Sequence, residues 1–287
     1  MSDINNEVQQ LKQVVSEAVQ ASQSQTAEVA GKMAQIDQKV NAATHVVRET
    51  FRDYNFEIFY VNSEVGNNDN DGRHSSRPWR DVSPLVNLMV YGKSYKVVMP
   101  AGQVIDMPVS LALSHGSIQF FGNYDNQATL KMKAIDYQGV GDGTVTFSGD
   151  GLKLAFYGVN LETATQPGNN TGKSTGYNSS AVSRSHGGNN LNIELYNGKI
   201  FVKDFPLIRT MTHNAGFVAL NLGYSGGIVI GEGTESYLTY SNDHFGLCNG
   251  TGSSIDNRNG PNTWNAIMHG VGGNKNVMAD FDFEAQA

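Results

Sequence analysis

INNEVQQLKQVVSEAVQASQSQTAEVAGKMAQIDQKVNAATHVV, residues 4–47, carries an apolar stripe whose period decides how the chain is organised. Ile4, Val8, Leu11, Val15 and Ala18 alternate steps of four and three, the spacing of a coiled-coil seam. Val29, Met33, Ile36, Val40, Ala43 and Val47 repeat that alternation in a shifted frame. One extra four-residue step near Ser22 and Thr26 joins the two runs, a stutter that locally unwinds a supercoil. Gln, Glu, Lys and Ser fill the remaining positions, so a lone helix would have a narrow apolar strip and nothing to bury it against. A helix lying on its own domain usually shows a wider apolar face. The stripe therefore predicts a coiled-coil stalk and docking segment over 1–53, a rod of roughly 75 Å at about 1.5 Å per residue. Val and Ile occupy both kinds of seam position, which favours a trimer over a dimer. The expected trimer interface is Ile4, Val8, Leu11, Val15, Val29, Met33, Ile36, Val40 and Val47.

Past Tyr54 the pattern switches to period two. Phe56, Ile58 and Tyr60 alternate with Glu57, Phe59 and Val61, and a Gly/Asn/Asp turn follows from Gly66 to Gly72. Asp81 with Pro84, Leu85, Leu88 and Met89 gives one short helical signal. Beyond Lys96 only short strands between turn residues are legible, among them 95–99, 117–121, 129–132, 144–147, 152–157, 191–195, 199–202, 217–222, 227–230 and 236–240. Runs such as KLAFYGVNL are nearly continuous in apolar character, which suits parallel strands better than the half-wetted strands of a sandwich. No strict repeat is present. The expected fold is mainly β: an irregular right-handed parallel β-helix over 54–275, capped at its start by 56–95, with coils of roughly 20 to 25 residues. The amphipathic strand Val277, Ala279, Phe281 and Phe283 falls in a terminal segment, 276–287, expected to pair with a neighbouring subunit or to close the last coil.

Composition narrows the function. Among 287 residues 39% are hydrophobic and only 16% charged, so solubility leans on Asn, Ser, Thr and Gly. A net charge of -7 without a Lys/Arg cluster argues against a nucleic-acid ligand. The single cysteine, Cys248, excludes an internal disulfide framework and reads as a small buried residue. The start, with Ser2, Asp3 and Asn5, has no basic-then-apolar run, so no secretory leader is expected. No apolar stretch is long enough to insert in a membrane.

FYVNSEVGNNDNDGRHSSRPWRDVSPLVNLM (59–89), then YKVVMPAG (95–102) and SIQFFGN (117–123), resembles the opening of pectate-lyase-like right-handed β-helix domains in phage tail fibres and tailspikes. The positions that carry the resemblance are Tyr60, Val61, Asn70, Asp71, Gly72, Pro78, Trp79, Asp81, Pro100, Ala101 and Gly102, while Arg80 stands where that family has Thr or Ser. The resemblance covers 58–123. Joined to the stalk and the lack of a leader, it implies a virion appendage; independently, the first coil of a solenoid exposes an apolar end, and Trp79, Leu85, Val86 and Leu88 suit the lid over it.

Several motifs suggest chemistry without completing it. Asn67, Asp69 and Asp71 imitate half a calcium loop, but Pro78 stands where a bidentate Glu is needed, so a hydrogen-bonded turn is the better reading. PGNNTGKST around Lys173 lacks the first Gly and the following helix of a phosphate loop. Were the chain to cleave a glycan, Glu232, Glu235 and Asp243 would be the acids, with Glu194, Asp204 and Asp256 the other carboxylates on the body. His213 and His244 are too few for a metal site, and no cofactor is expected. Aromatic and amide side chains suit surface recognition, and the expected receptor contacts are Tyr177, His186, Tyr224, Tyr237 and Tyr240, beside Asn189, Tyr196 and Phe245. The expectation is a non-enzymatic, homotrimeric tail fibre in the virion. Its partners would be other tail or baseplate proteins and a host-surface glycan or protein. A glycan-depolymerising tailspike and a head or neck decoration fibre are the alternatives.

Overall fold

The computed structural model describes residues 2–136, 142–166, 180–183, 191–209, 218–223, 226–230, 238–240, 245–248, 254–258, 260–269 and 277–279; in places, 45–55 among them, it describes the backbone alone. The chain divides into two compact units, Met1–Asn55 and Phe56–Ala287.

The first unit is one α-helix, Ser2–Asn55, of 54 residues. It contains no proline and one glycine, Gly31, and an acidic Asp3 sits in its first turn, where the helix dipole favours it. Every side chain from Asp3 to Thr44 is exposed. Local contacts are slight: a Glu28–Lys32 ion pair at 2.6 Å and a hydrogen bond from Gln13 to Glu17 at 3.0 Å, each worth about a few tenths of a kcal/mol. The helix ends at Asn55 rather than Asp53, because no breaker intervenes before strand pairing starts at Phe56. Among the described residues no helix is long and apolar enough to cross a membrane.

The second unit is mainly β and almost wholly parallel. Among the described residues it holds an eight-stranded sheet and two six-stranded sheets. The first sheet comprises Phe56–Tyr60, Ser94–Val98, Ser117–Phe121, Lys153–Tyr157, Leu191–Tyr196, Val218–Gly223, Phe245–Cys248 and Val277–Ala279. The second comprises Val104–Met107, Ala128–Met132, Val159–Glu162, Lys199–Val202, Gly227–Ile230 and Ser254–Asn257. The third comprises Leu111–Ala112, Phe147–Ser148, Val182–Ser183, Ile208–Arg209, Thr239–Tyr240 and Met268–His269. From Ser94–Val98 onward the chain visits the three in rotation, and each strand pairs with the one from the previous visit to its sheet. Ser94, Ser117, Lys153 and Asn192 share one register position, so successive passes differ in length. One insertion is an antiparallel hairpin, Ala134–Asp136 with Asp142–Thr144. The sequence reads 144–147 as one strand; the structure splits it, Thr144 closing the hairpin and Phe147 opening a strand of the third sheet.

Register decides the core. Tyr95, Ile118, Leu154, Ile193 and Leu220 form one buried column in the first sheet, and Val97, Phe120, Phe156, Leu195 and Leu222 form the next. Phe120 and Phe156 stack at 5.2 Å, and Phe147 from the third sheet meets both edge-on. The second sheet adds Ile105, Leu130, Leu161, Ile200 and Ile228. Between the first two sheets the chain turns through left-handed backbone at Gly158 (φ 62°) and Asn197 (φ 52°), residue types that tolerate it. Val277–Ala279 pairs in parallel with Phe245–Leu247 of its own chain.

The turn from Gly66 to Trp79 closes the free edge of the first strand. Tyr60 N–H donates to Gly72 O, Trp79 N–H to Tyr60 O and Asn62 N–H to Trp79 O. Trp79 is buried, stacks on Phe59 at 4.4 Å and donates its indole N–H to Asn70 O at 2.9 Å. Gly72 has φ 67°, and a Cβ there would strike the Trp79 ring. The helical signal at 81–89 is a short 3-10 helix, Ser83–Asn87; Asp81 Oδ1 accepts the Ser83 N–H at 2.7 Å, and Leu85 is buried. Val86, expected in the lid, is exposed instead, because the 3-10 turn directs Leu85 alone inward.

Replacing Phe156 by Ala removes a ring that touches two sheets and should cost about 3–5 kcal/mol. Urea unfolding followed by tryptophan fluorescence measures it, and a loss below about 1 kcal/mol would contradict the packing described.

Candidate functional site

Parallel register places like positions of successive passes side by side, and on the outward face of the first sheet it builds an aromatic ladder. Val98, Phe121, Tyr157, Tyr196 and Gly223 occupy one row. Phe121 and Tyr157 stack at 4.7 Å, and Tyr157 and Tyr196 at 5.0 Å. Both ends are closed: Lys96 Nζ sits 3.8 Å from the Phe121 centroid, and a Cβ on Gly223 would lie 2.3 Å from the Tyr196 ring. The ring faces are therefore occupied, and only edges and hydroxyls meet solvent. Each stacked pair adds about 0.5–1.5 kcal/mol beyond area burial.

Beside the ladder lies a carboxylate. Glu194 is 9% exposed and accepts from Lys153 Nζ at 2.8 Å, Asn192 Nδ2 at 3.3 Å and the Tyr157 hydroxyl at 3.3 Å. Its partners among the described residues are an ammonium, an amide and a phenol, with no second carboxylate. A carboxylate pinned this way holds the face in shape. Burial and then the Glu194 charge push the Tyr157 phenol up to about 12, so it stays a hydrogen-bond donor. Gln119 continues the polar row, donating to the Ser117 hydroxyl at 3.3 Å. The arrangement can present fixed donors and acceptors along an edge of aromatic rings; it contains no nucleophile–base pair.

The second sheet shows a different outward face, an alternating charge ladder in which Lys131 pairs with Glu162 at 3.0 Å and Lys133 with Asp106 at 2.9 Å. At the start of the first sheet Glu57 bridges Lys93 at 2.7 Å and Arg73 at 2.8 Å. Burial would raise the Glu57 carboxyl, but these two cations bring it below the ordinary value.

Tyr177, His186, Asn189, Tyr224, Tyr237, Glu232, Glu235, Asp243, His213, His244 and the PGNNTGKST segment lie outside the described residues. Tyr240 is placed by its backbone in the third sheet, paired with Arg209 and His269. Phe245 and Cys248 bound a strand of the first sheet. Asp204 accepts the Gln166 N–H at 2.8 Å, and Asp256 contacts Arg258 at 3.4 Å. Asn67 and Asp71 carboxamide and carboxylate oxygens accept the N–H groups of Asp69 and Arg73, as a turn requires. Among the described residues no group of His, Cys, Asp or Glu could hold a metal. The residues expected at a trimer interface, Ile4 to Val40, are all exposed on the helix, and Val47 is described by its backbone.

Sequence reasoning missed Lys96, Phe121, Lys153 and Tyr157. A signal was present: Phe121-Gly122-Asn123, Tyr157-Gly158 and Tyr196-Asn197-Gly198 repeat an aromatic residue just before a Gly/Asn turn.

Because folding disfavours the Tyr157 phenolate, its stabilising effect is complete below the ordinary value of 10.0 and is lost as pH rises toward about 12. In an ultraviolet phenolate titration, Tyr157→Phe should delete a late-titrating tyrosine, and Glu194→Gln should make that tyrosine titrate earlier. An unchanged late phase in Tyr157→Phe would show the assignment wrong. Compared with protein-family models and curated proteins, the chain matches none.

Proposed function

We propose that the chain is a homotrimeric virion appendage of the tail-fibre type, a non-enzymatic structural protein that attaches to a host-surface glycan or protein or carries the tip that does. The observation that carries this reading is the helix of the first unit. Ile4, Val8, Leu11, Val15, Val29, Met33, Ile36 and Val40 stand at seam spacing, and all are between 44% and 66% exposed. A stripe of that regularity has no counterpart to pack on within the helix itself, and identical helices in register supply one. The residues 54–275 are best read as an irregular parallel β-helix. Three sheets visited in rotation support that, and the strong preference of parallel crossovers for the right hand supports a right-handed coil. Such a body is elongated and resistant to proteolysis, which suits an organelle working outside the cell.

The ladder face favours adhesion over cleavage. Glycoside hydrolysis asks for two carboxylates on opposite sides of a bond, whereas Glu194 has a cation and two neutral donors. Its hydroxyl, amide and ammonium groups suit a polyhydroxylated ligand held by hydrogen bonds at ring edges.

Sedimentation equilibrium of the full chain should return three times 31.1 kDa. Ile36→Asp places a charge in the proposed seam and should release monomers while leaving the β-rich circular dichroism of the body intact. Antibody labelling of intact particles should decorate a tail appendage. A monomeric wild-type chain, or particles that bind no antibody, would overturn the proposal.

A further inference from the structure

We infer that the helix carries a built-in joint at residues 19–31, where a trimeric stalk opens before either flank does. The inference rests on the trimer reading above, but on different residues. Between Val15 and Val29 the seam can be traced in two ways: through Ala18, with consecutive four-residue steps to Ser22 and Thr26, or through Val19, which is 49% exposed. Both traces put Ser22 and Thr26 at the seam, so two consecutive layers of the bundle hold hydroxyls where both flanks hold Val, Met, Ile, Leu or Ala. Three copies meeting there would bury little apolar area and would place hydroxyls inside the bundle.

Two further observations point to the same place. The Thr26 hydroxyl donates to the Ser22 carbonyl at 2.8 Å, so its proton is satisfied within its own helix and it has no donor to offer across the seam. That back-bond also competes with the regular ladder and tends to bend helices. Five residues on, Gly31 lies in the helix interior with no atom within 4 Å of its Cβ position. Gly has the lowest helix propensity after Pro, and nothing touches it to compensate. Stutter, polar layers and glycine thus coincide within about three turns, each weakening a different interaction: supercoil winding, seam burial and intrinsic helicity. The helix is continuous through the segment, so the joint is a place of low local stability and no break in structure. It would let the two stalk halves reorient while each stays zipped.

Hydrogen exchange of the full-length chain, read by mass spectrometry, tests this. Amides of 20–31 should exchange at least about tenfold faster than those of 33–43, the mark of sub-global opening. Ser22→Ile with Thr26→Ile should bring the two segments to equal protection, and Gly31→Ala should narrow the difference in part. Equal protection in a wild-type chain that sediments as a trimer overturns the joint alone. A monomer exchanging fast along the whole helix overturns the trimer reading and the joint together.

Discussion

Parallel pairing in register is the constraint on which the second unit rests. Because side chains alternate between faces, a strand that pairs with its predecessor in register repeats the predecessor's inward and outward choices. Tyr95, Ile118, Leu154, Ile193 and Leu220 become one interior column for that reason, and Phe121, Tyr157 and Tyr196 become one exterior ladder. Core and surface are two readings of the same ladder of hydrogen bonds. A slip of one residue would put Lys153 and Glu194 inside and Leu154 and Phe156 outside, exchanging a satisfied ion pair for a buried one without solvent. That cost holds the register at every pass, although the passes themselves vary in length.

The same rule explains the glycines and the lid. Stacked turns must approach closely: a Cβ on Gly198 would lie 2.2 Å from the Val159 carbonyl oxygen, and one on Gly122 would lie 2.3 Å from that of Gly158. The first strand has no predecessor, so its edge and its inward side chains need another cover. Phe59 is met by Trp79 and the strand edge by the backbone of the Gly66–Trp79 turn. Gly72 lies against that indole, which links a turn glycine to the burial of one of the two core tryptophans.

Period and turn chemistry made much of this legible. The heptad stripe marked the helix, and the switch to period two at Phe56 marked the start of the strands. The segments 117–121, 199–202 and 227–230 were read with the bounds they have. KLAFYGVNL read as apolar on both faces, and in its first strand Leu154, Ala155 and Phe156 are all buried, while Tyr157 in the outward row is half-buried. The outward aromatic residues look like core in one dimension because what covers them is another residue of their own kind from the neighbouring pass. Val86 failed for a related reason, since a helical spacing cannot tell a 3-10 turn from an α-turn. The Glu194 network was hidden because Lys153 and Glu194 are neighbours only once Lys153 pairs with Asn192. Single residues were legible there, and their juxtaposition was not.

Ligand strength links the two units without reference to how they are arranged. The ladder spends its ring faces on itself, so a ligand gains no stacking there, only hydrogen bonds made in competition with water. Such bonds are worth about 0.5–1.5 kcal/mol each, so one face of this kind would bind a ligand weakly. In the proposed trimer, three copies on one stalk would convert the second and third contacts into intramolecular events, which can raise avidity by about 10²–10⁴ without any new contact. A stiff connection helps only if the sites match the spacing of the target, and an unmatched rigid trimer gains nothing. A locally weak segment in the stalk relaxes that geometric demand at some expense in effective concentration. If the chain is the weak, multivalent binder proposed, polar layers at Ser22 and Thr26 would favour reach, where a seam filled with Ile throughout would bring stability and lose it.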